Sequence, residues 1–260
     1  MVRAVDVVGF NRHAWDREVD NENGWTIPVD SDQVARARQG DWSVVLTPRR
    51  WVPREWLPEL VGAQVLGLAA GGGQQGPILA AAGAHVTVFD NSPRQLGQDR
   101  MVAERDGLEI ETVWGDMADL SCFEDGAFDL VFHPCSNCFS ETVLPVWREC
   151  HRVLRAGGTL LAGFANPLLF CFDRDKEPKG ILELKYPVPY SDVTSLSARE
   201  RGQLDPDEPL CFGHSLTDQI GGQLDAGFVI VGMYEDFHQD DDVTVSYFPA
   251  FLATRALKPD

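Results

Sequence analysis

No stretch of about 18 uninterrupted apolar residues occurs anywhere in the chain, so the sequence offers no candidate for a membrane-spanning helix. Its first residues, MVRAVDVVGFNRHAWD, are broken by charge too early for the apolar segment of a secretory signal, which predicts a cytoplasmic protein. Basic residues are scarce: 22 Lys and Arg stand against 40 Asp and Glu, a net charge of −18. The averaged field therefore repels polyanions, which argues against nucleic acid as the main substrate. Cysteine is limited to six scattered residues (Cys122, Cys135, Cys138, Cys150, Cys171, Cys211), a usage that predicts reduced thiols and excludes a disulfide scaffold. Cys135-Ser-Asn-Cys138 has redox or zinc spacing but lacks a second pair or a neighbouring histidine cluster, so no metal is expected. Repeats, low-complexity tracts and Gly/Ser linkers are also missing, and nothing marks a clean domain boundary. What is there, 44% apolar and 24% charged residues, is ordinary globular composition and enough for one sizeable core.

The pattern changes along the chain. Residues 1–60 are rich in Trp, Arg and Asp, with one helix-like piece near 10–19 followed by Pro-punctuated irregular chain, and are predicted to form a cap or lid on a main domain at 61–260. From 64 onward short apolar runs alternate with helical stretches: a strand at 64–69, a helix at 75–82, a strand at 85–90. Ser92-Pro-Arg-Gln95 offers a capping box for the next helix, with Pro93 at its first position and Gly107 stopping it. Strands follow at 109–113 and 128–132. Val146, Cys150, Val153 and Leu154 give the next helix one buried face, and Gly157-Gly158 is expected to end it before a fifth strand at 159–164. Repeated units of this kind predict an α/β fold, a Rossmann-like three-layer sandwich with a mostly parallel sheet and helices on both faces. The proline-rich 166–212 breaks the rhythm and reads as an insertion over the mouth of the sheet. A helix at 214–226 and strands at 228–233 and 246–254 close the chain, the strands pairing antiparallel to complete about seven.

Gly71-Gly-Gly73-Gln-Gln-Gly76 follows the first strand and opens the first helix of these units, and Asp90 ends the next strand 19 residues after Gly71. This is the dinucleotide fingerprint in its proper setting: glycines let the backbone approach a cofactor, and the acid accepts from both ribose hydroxyls. Either a nicotinamide cofactor or S-adenosylmethionine lays an adenosine across such a crevice. Gly115-Asp116-Met117, just past the third strand, adds an acid for the adenine amino group and a methionine to pack on its ring.

Phe128-Asp129-Leu-Val-Phe-His-Pro134 and Arg152-Val-Leu-Arg-Ala-Gly-Gly-Thr-Leu160, together with the closing strand pair, resemble the motifs of class I S-adenosylmethionine-dependent methyltransferases. The resemblance runs over about 62–166 and is similar to the bacterial branch labelled methyltransferase type 11. It implies S-adenosylmethionine as cofactor, S-adenosylhomocysteine as product and in-line transfer to a small-molecule acceptor. It maps the glycine loop to Ala69, Ala70, Gly71 and Gly73, the ribose acid to Asp90 and the adenine-side acid to Asp116, with Gln75, Asn91, Gln95 and Met117 completing the cofactor set. Two departures stand out: Gly67 replaces the usual first-strand acid and Ala69 a usual glycine. The methionyl ammonium is then left to backbone carbonyls of 69–71, helped by Gln74, Gln75 or His133.

The family places the turn after the fourth strand beside the reactive methyl, which makes His133 and Asn137 the candidate catalytic residues, His133 as base or cofactor contact and Asn137 as a substrate hydrogen bond. Asn11 and Trp15 on the first helix, Tyr190 in the insertion beside Tyr186 and Asp192, and His214 are the substrate candidates, although His214 next to Ser215 also reads as a helix start. The acid run Glu235, Asp236, Asp240, Asp241, Asp242 lacks calcium-loop spacing and reads as a solvated turn. A nicotinamide-dependent oxidoreductase and a non-catalytic S-adenosylmethionine-binding regulator remain the alternatives, and the protein is expected to be a monomer or homodimer.

Overall fold

The computed structural model describes residues 5–239 and 242–260, excluding the side chain of Pro178. Residues 1–4 of the expected cap and Asp240 and Asp241 of the acid run lie outside the described residues.

α1 (Val7–Asp20) starts where Asp6 accepts the Gly9 N–H at 2.9 Å. α2 (Ser31–Arg38) falls in chain expected to be irregular; it is set by a capping box between Asp30 and Gln33, after which Val34 and Ala37 supply one buried face. β1 (Gln64–Leu68), α3 (Gln75–Ala81), β2 (His85–Asp90), α4 (Pro93–Asp106), β3 (Ile110–Trp114) and β4 (Phe128–His133) follow the predicted alternation to within about one residue. Ser92 caps α4 by accepting the Gln95 N–H, and Gly107, at φ 62°, ends it in the left-handed region.

α5 (Leu144–Val153) passes directly into β5 (Leu154–Ala165). Gly157 and Gly158 therefore lie inside the strand and do not terminate the helix. They occupy the stretch where the register with β4 shifts between Phe128 and Leu130, and Gly157 takes φ 74° there. The insertion forms its own two-stranded ribbon, β6 (Tyr190–Ser191) with β7 (Phe212–Gly213), and carries α6 (Ala198–Arg201). The helix expected at 214–226 is a π-helical turn, Thr217–Gly221, running into α7 (Gly222–Asp225). β8 (Val229–Asp236) and β9 (Phe251–Leu257) close the chain. β9 starts five residues later than expected because Pro249 has no N–H to give a ladder; Val243–Ser246 is a short helical turn instead.

The strands order as β3-β2-β1-β4-β5-β9-β8, parallel from β3 through β5, with β9 antiparallel to both neighbours. Adjacent residues of β1 serve opposite faces. Val65 joins Val86, Val88, Leu130 and Phe132 under α3, while Leu66 and Leu68 join Val131, Trp147 and Cys150 under α5. Val44, Leu46, Val52, Trp56 and Leu60 pack into the first of these clusters, so the segment read as a cap also builds core. The chain leaves β1 for β2 on one side and returns to β4 on the other, which opens a crevice at the carboxyl ends of β1 and β4.

Candidate functional site

A cavity of about 530 Å³ occupies that crevice. Its floor at one end is the loop after β1. Ala69, at φ 47°, donates its N–H to the Phe89 carbonyl at 2.7 Å, a left-handed conformation that a side chain tolerates only at a cost. Gly71 donates to Asp90 Oδ2 at 3.0 Å, and Ser92 N donates to Oδ1 at 2.9 Å. A Cβ at Gly71 would lie 2.8 Å from Gln95 Cβ, so only glycine passes between Asp90 and α4. Burial pushes the Asp90 carboxyl above its ordinary range, while the N–H groups of Ser92, Gly71 and Asn91 pull the other way. Ala69, Ala70, Gly71, Gln75, Asp90, Asn91 and Gln95 line the cavity, and Asp116 and Met117 face it from beyond β3. Gln95 Oε1 is buried there without a partner. Gly73 does not line it: at φ 69° it turns the chain under Pro28 and accepts the Val29 N–H. Gln74 and Gln75 both line the cavity and also bind the N-terminal segment. The Gln74 amide donates to the Gly24 and Ile27 carbonyls and Gln75 Oε1 accepts the Val45 N–H, which ties the N-terminal segment over the loop.

Asp99, fully buried on α4, also supports this loop, although the reading of the sequence did not single it out. Its Oδ2 accepts the Gly72 N–H at 3.1 Å and its other oxygen has no partner. Burial, with the nearby Asp90 charge adding to it and the Gly73 and Gly72 N–H groups opposing, raises its pKa to about 8. An acid whose pKa rises on folding holds its proton more tightly in the folded state, so its contribution to stability falls as pH climbs from about 4 to about 8, by up to about 1.4 kcal/mol per unit. Asp99→Asn is expected to remove that slope. Its unfolding free energy in urea should gain on the wild type by several kcal/mol between pH 5 and pH 8, and a constant difference would contradict the assignment.

The expected catalytic residues sit below the cavity, not in its wall. His133 shares the inner face of β4 with Val131, is fully buried, lies edge-on to Trp147 at 6.0 Å and bonds the Leu68 carbonyl through Nδ1 at 2.9 Å. The carbonyl only accepts, so Nδ1 carries the proton. Burial drives the pKa down to about 4, leaving a neutral ring that does not reach the cavity. Asn137 is buried in a reciprocal amide pair with Gln219 at 3.0 and 3.2 Å, and its carbonyl meets His214 Nε2 at 3.1 Å. These three hold the turn after β4 from beneath. Tyr190 stacks on Phe170 and donates to Asp192 at 2.6 Å, closing the insertion's own core. Asn11 and Trp15 do line the cavity. Asn11 spends its amide on the Phe139 and Leu210 carbonyls and the Leu210 N–H, and Trp15 meets Phe139 edge-on at 5.0 Å, so α1 is fastened to the turn.

The far end of the cavity is built from chain distant in sequence. Residues 45–48 cross β5, where a Cβ on Gly163 would fall 2.1 Å from the Leu46 carbonyl oxygen. Cys135, Ser136, Cys138, Phe139 and Glu141 come from the turn after β4, His238 and Gln239 from the chain just past β8, and Phe251 from the start of β9. Burial raises both thiols well above their ordinary range, which keeps them protonated. The acid run is thus more than a solvated turn: Asp236 is buried, accepting the Arg49 and Arg50 N–H groups at 2.9 Å, and His238 reaches the cavity. No Lys or Arg lines the cavity among the described residues.

A family model described as methyltransferase domain matches residues 66–162. The chain is 49% identical over 253 residues to the uncharacterized methyltransferase YbaJ of Bacillus subtilis (strain 168), covering 97% of this chain and 98% of that one. The chain belongs to the class I S-adenosylmethionine-dependent methyltransferases. A ubiquinone biosynthesis O-methyltransferase of Xanthomonas euvesicatoria pv. vesicatoria (strain 85-10) is 30% identical to it over 110 residues, 42% of this chain and 45% of the other. An S-adenosylmethionine-dependent methyltransferase from Mesorhizobium loti shares the fold, with a TM-score of 0.59 at 19% identity over 78% of this chain and 94% of that structure. S-adenosylmethionine is the cofactor of this methyltransferase, and the loop fits it: a glycine cradle that a Cβ would fill, an acid at the end of β2 and an unpartnered amide oxygen on Gln95 all converge on one end of the cavity.

Proposed function

We propose that this methyltransferase methylates an uncharged, largely apolar small molecule held between α1, residues 45–48 and the turn after β4. The observation that carries the reading is the cavity wall at that end: Val7, Val8, Leu46, Pro48, Phe139 and Phe251 with isolated polar groups and no Lys or Arg among the described residues. An anionic acceptor would enter with no Lys or Arg beside it and with Glu141 in the same wall. The likeness to an O-methyltransferase of ubiquinone biosynthesis supports a small-molecule acceptor, and the net charge of −18 disfavours nucleic acid. No helix among the described residues is long and apolar enough to cross a membrane.

In this reading Asp90 accepts from the ribose hydroxyls, Asp116 and Met117 take the adenine, and backbone carbonyls around Ala69 and Gly71 receive the ammonium. The cofactor supplies an already activated methyl group, so the chain's task is to align the acceptor and exclude water. α1, fastened through Asn11 and through Asn91 donating to the Val8 carbonyl at 2.8 Å, serves as the lid. Formation of S-adenosylhomocysteine from S-adenosylmethionine with 2-naphthol or 2-naphthoate as acceptor tests the acceptor class. A preference of roughly tenfold or more for the uncharged ring is expected, and turnover of the carboxylate at equal or higher rate would contradict the reading.

A further inference from the structure

We infer that His238, held by Asp242, is the proton acceptor of this methyltransferase, and that the acceptor group it serves is a hydroxyl. The inference rests on the cavity being the methyl-transfer chamber. His238 is the one histidine lining it among the described residues. Its ring leans on Phe251, also in the wall, with centroids 5.5 Å apart at 31°. Its backbone is pinned, since Arg49 Nη1 donates to the His238 carbonyl at 3.0 Å and the preceding residue, Phe237, donates its N–H to Asp236 at 2.9 Å.

The two ring nitrogens face different surroundings. Nδ1 is shut off from solvent and lies 3.4 Å from Asp242 Oδ2, while the side chain as a whole keeps 36% of its surface exposed. The open part of the ring is therefore the side away from Nδ1, which carries Nε2. Asp242 is itself oriented: its Oδ1 accepts the Thr244 N–H at 2.8 Å. At 3.4 Å the pair is close but longer than a normal hydrogen bond, a looseness usual before a substrate is bound. A carboxylate on that side favours the tautomer with the proton on Nδ1 and a lone pair on Nε2, and it stabilises the imidazolium once formed. Among the other groups in the wall, Asp90 and Asp116 sit at the cofactor end, Cys135 and Cys138 are held as neutral thiols, and Glu141 is exposed to solvent, while His133 is walled off beneath β4.

The step balances without a further reactant. The hydroxyl oxygen takes the methyl with its lone pair, its proton passes to Nε2, and the C–S bond breaks with its electron pair left on sulfur. A methyl ether, a neutral thioether and an imidazolium paired with Asp242 result.

The orientation is tested first, without an acceptor. Asp242→Asn keeps an oxygen for Thr244 and turns the atom facing Nδ1 into a donor, so ¹⁵N spectra of the S-adenosylhomocysteine-loaded protein at high pH are expected to show the His238 proton on Nδ1 in the wild type and on Nε2 in the variant. An unchanged tautomer would overturn the pair. The chemistry is tested with 2-naphthol and 2-naphthalenethiol, the second of which ionises without help. His238→Gln is expected to lower 2-naphthol methylation by about 10²-fold or more and to leave the thiol within about threefold, with S-adenosylmethionine affinity unchanged by calorimetry. Equal losses on both probes, or a wild type that methylates the thiol but never the phenol, would overturn the base. A wild type that binds S-adenosylmethionine yet methylates neither would instead sink the chamber reading on which the inference rests.

Discussion

Asp90→Ala is expected to weaken S-adenosylmethionine binding by about 10²- to 10³-fold. Each carboxylate oxygen already accepts one backbone N–H, from Gly71 and from Ser92, and keeps a lone pair for a ribose hydroxyl. Two hydrogen bonds to a charged group are worth about 1.5–3 kcal/mol each before they couple, and about 3–4 kcal/mol together corresponds to that factor. The loss has a second source, because the Gly71 N–H would then be unpartnered beside the cofactor. Folding should suffer less than binding, since burial already makes the Asp90 charge costly to the unliganded protein. Asp90→Asn, which keeps an acceptor oxygen without the charge, is expected to fall between wild type and alanine. Calorimetric titration with S-adenosylmethionine reads all three, and a change below threefold for alanine would remove Asp90 from the ribose.

Trp147→Ala is expected to cost the fold about 3–5 kcal/mol and to lower the melting temperature by roughly 10 °C or more. Trp147 is fully buried on α5, among the largest side chains enclosed in the molecule, and packs between β4 and the C-terminal helical turn. Its Nε1 donates to the Asp218 carbonyl at 3.0 Å, and its ring sits so close to Gly222 that a Cβ there would lie 2.8 Å from Cδ1. Truncation therefore opens a cavity and orphans a carbonyl together. It also removes the support under His133, whose Nε2 has no partner of its own. Trp147→Phe, which restores most of the volume, should recover more than half of the loss. Differential scanning calorimetry of both variants decides the matter, and a shift under about 3 °C for alanine would mean the α5 face is not packed as described.

How much was readable in the sequence follows from how local each feature is. The strand, glycine loop and Asp90 were legible because a parallel unit must place them within about 20 residues of one another. Asp116 and Met117 come just past β3, so the repeat of strand and helix puts them at the same edge of the sheet, and both line the cavity. His133 was misplaced because alternation along a strand says which residues share a face but not which face looks at the ligand: His133 follows Val131 into the α5 layer, and only the chain beyond it, from Pro134, rises to the cavity wall. Asn137, His214 and Tyr190 were misread because a polar residue near a turn serves equally well as a buried strut. Asp99 left a signal that went unused, since Gln95, Asp99 and Val102 recur at helical spacing and are all buried, which makes an aspartate on that face a group with a partner to find. His238 and Phe251 left none. They reach the site only because β9 inserts between β5 and β8, a pairing that no local pattern specifies.

The most direct measurement is a crystal structure of the protein with S-adenosylhomocysteine. The account predicts both ribose hydroxyls on Asp90, the adenine between Asp116 and Met117, and the sulfur turned toward the chamber walled by Phe139, His238 and Phe251. A ligand with its ribose away from Asp90, or with its sulfur facing His133 and closed off from that chamber, would contradict it.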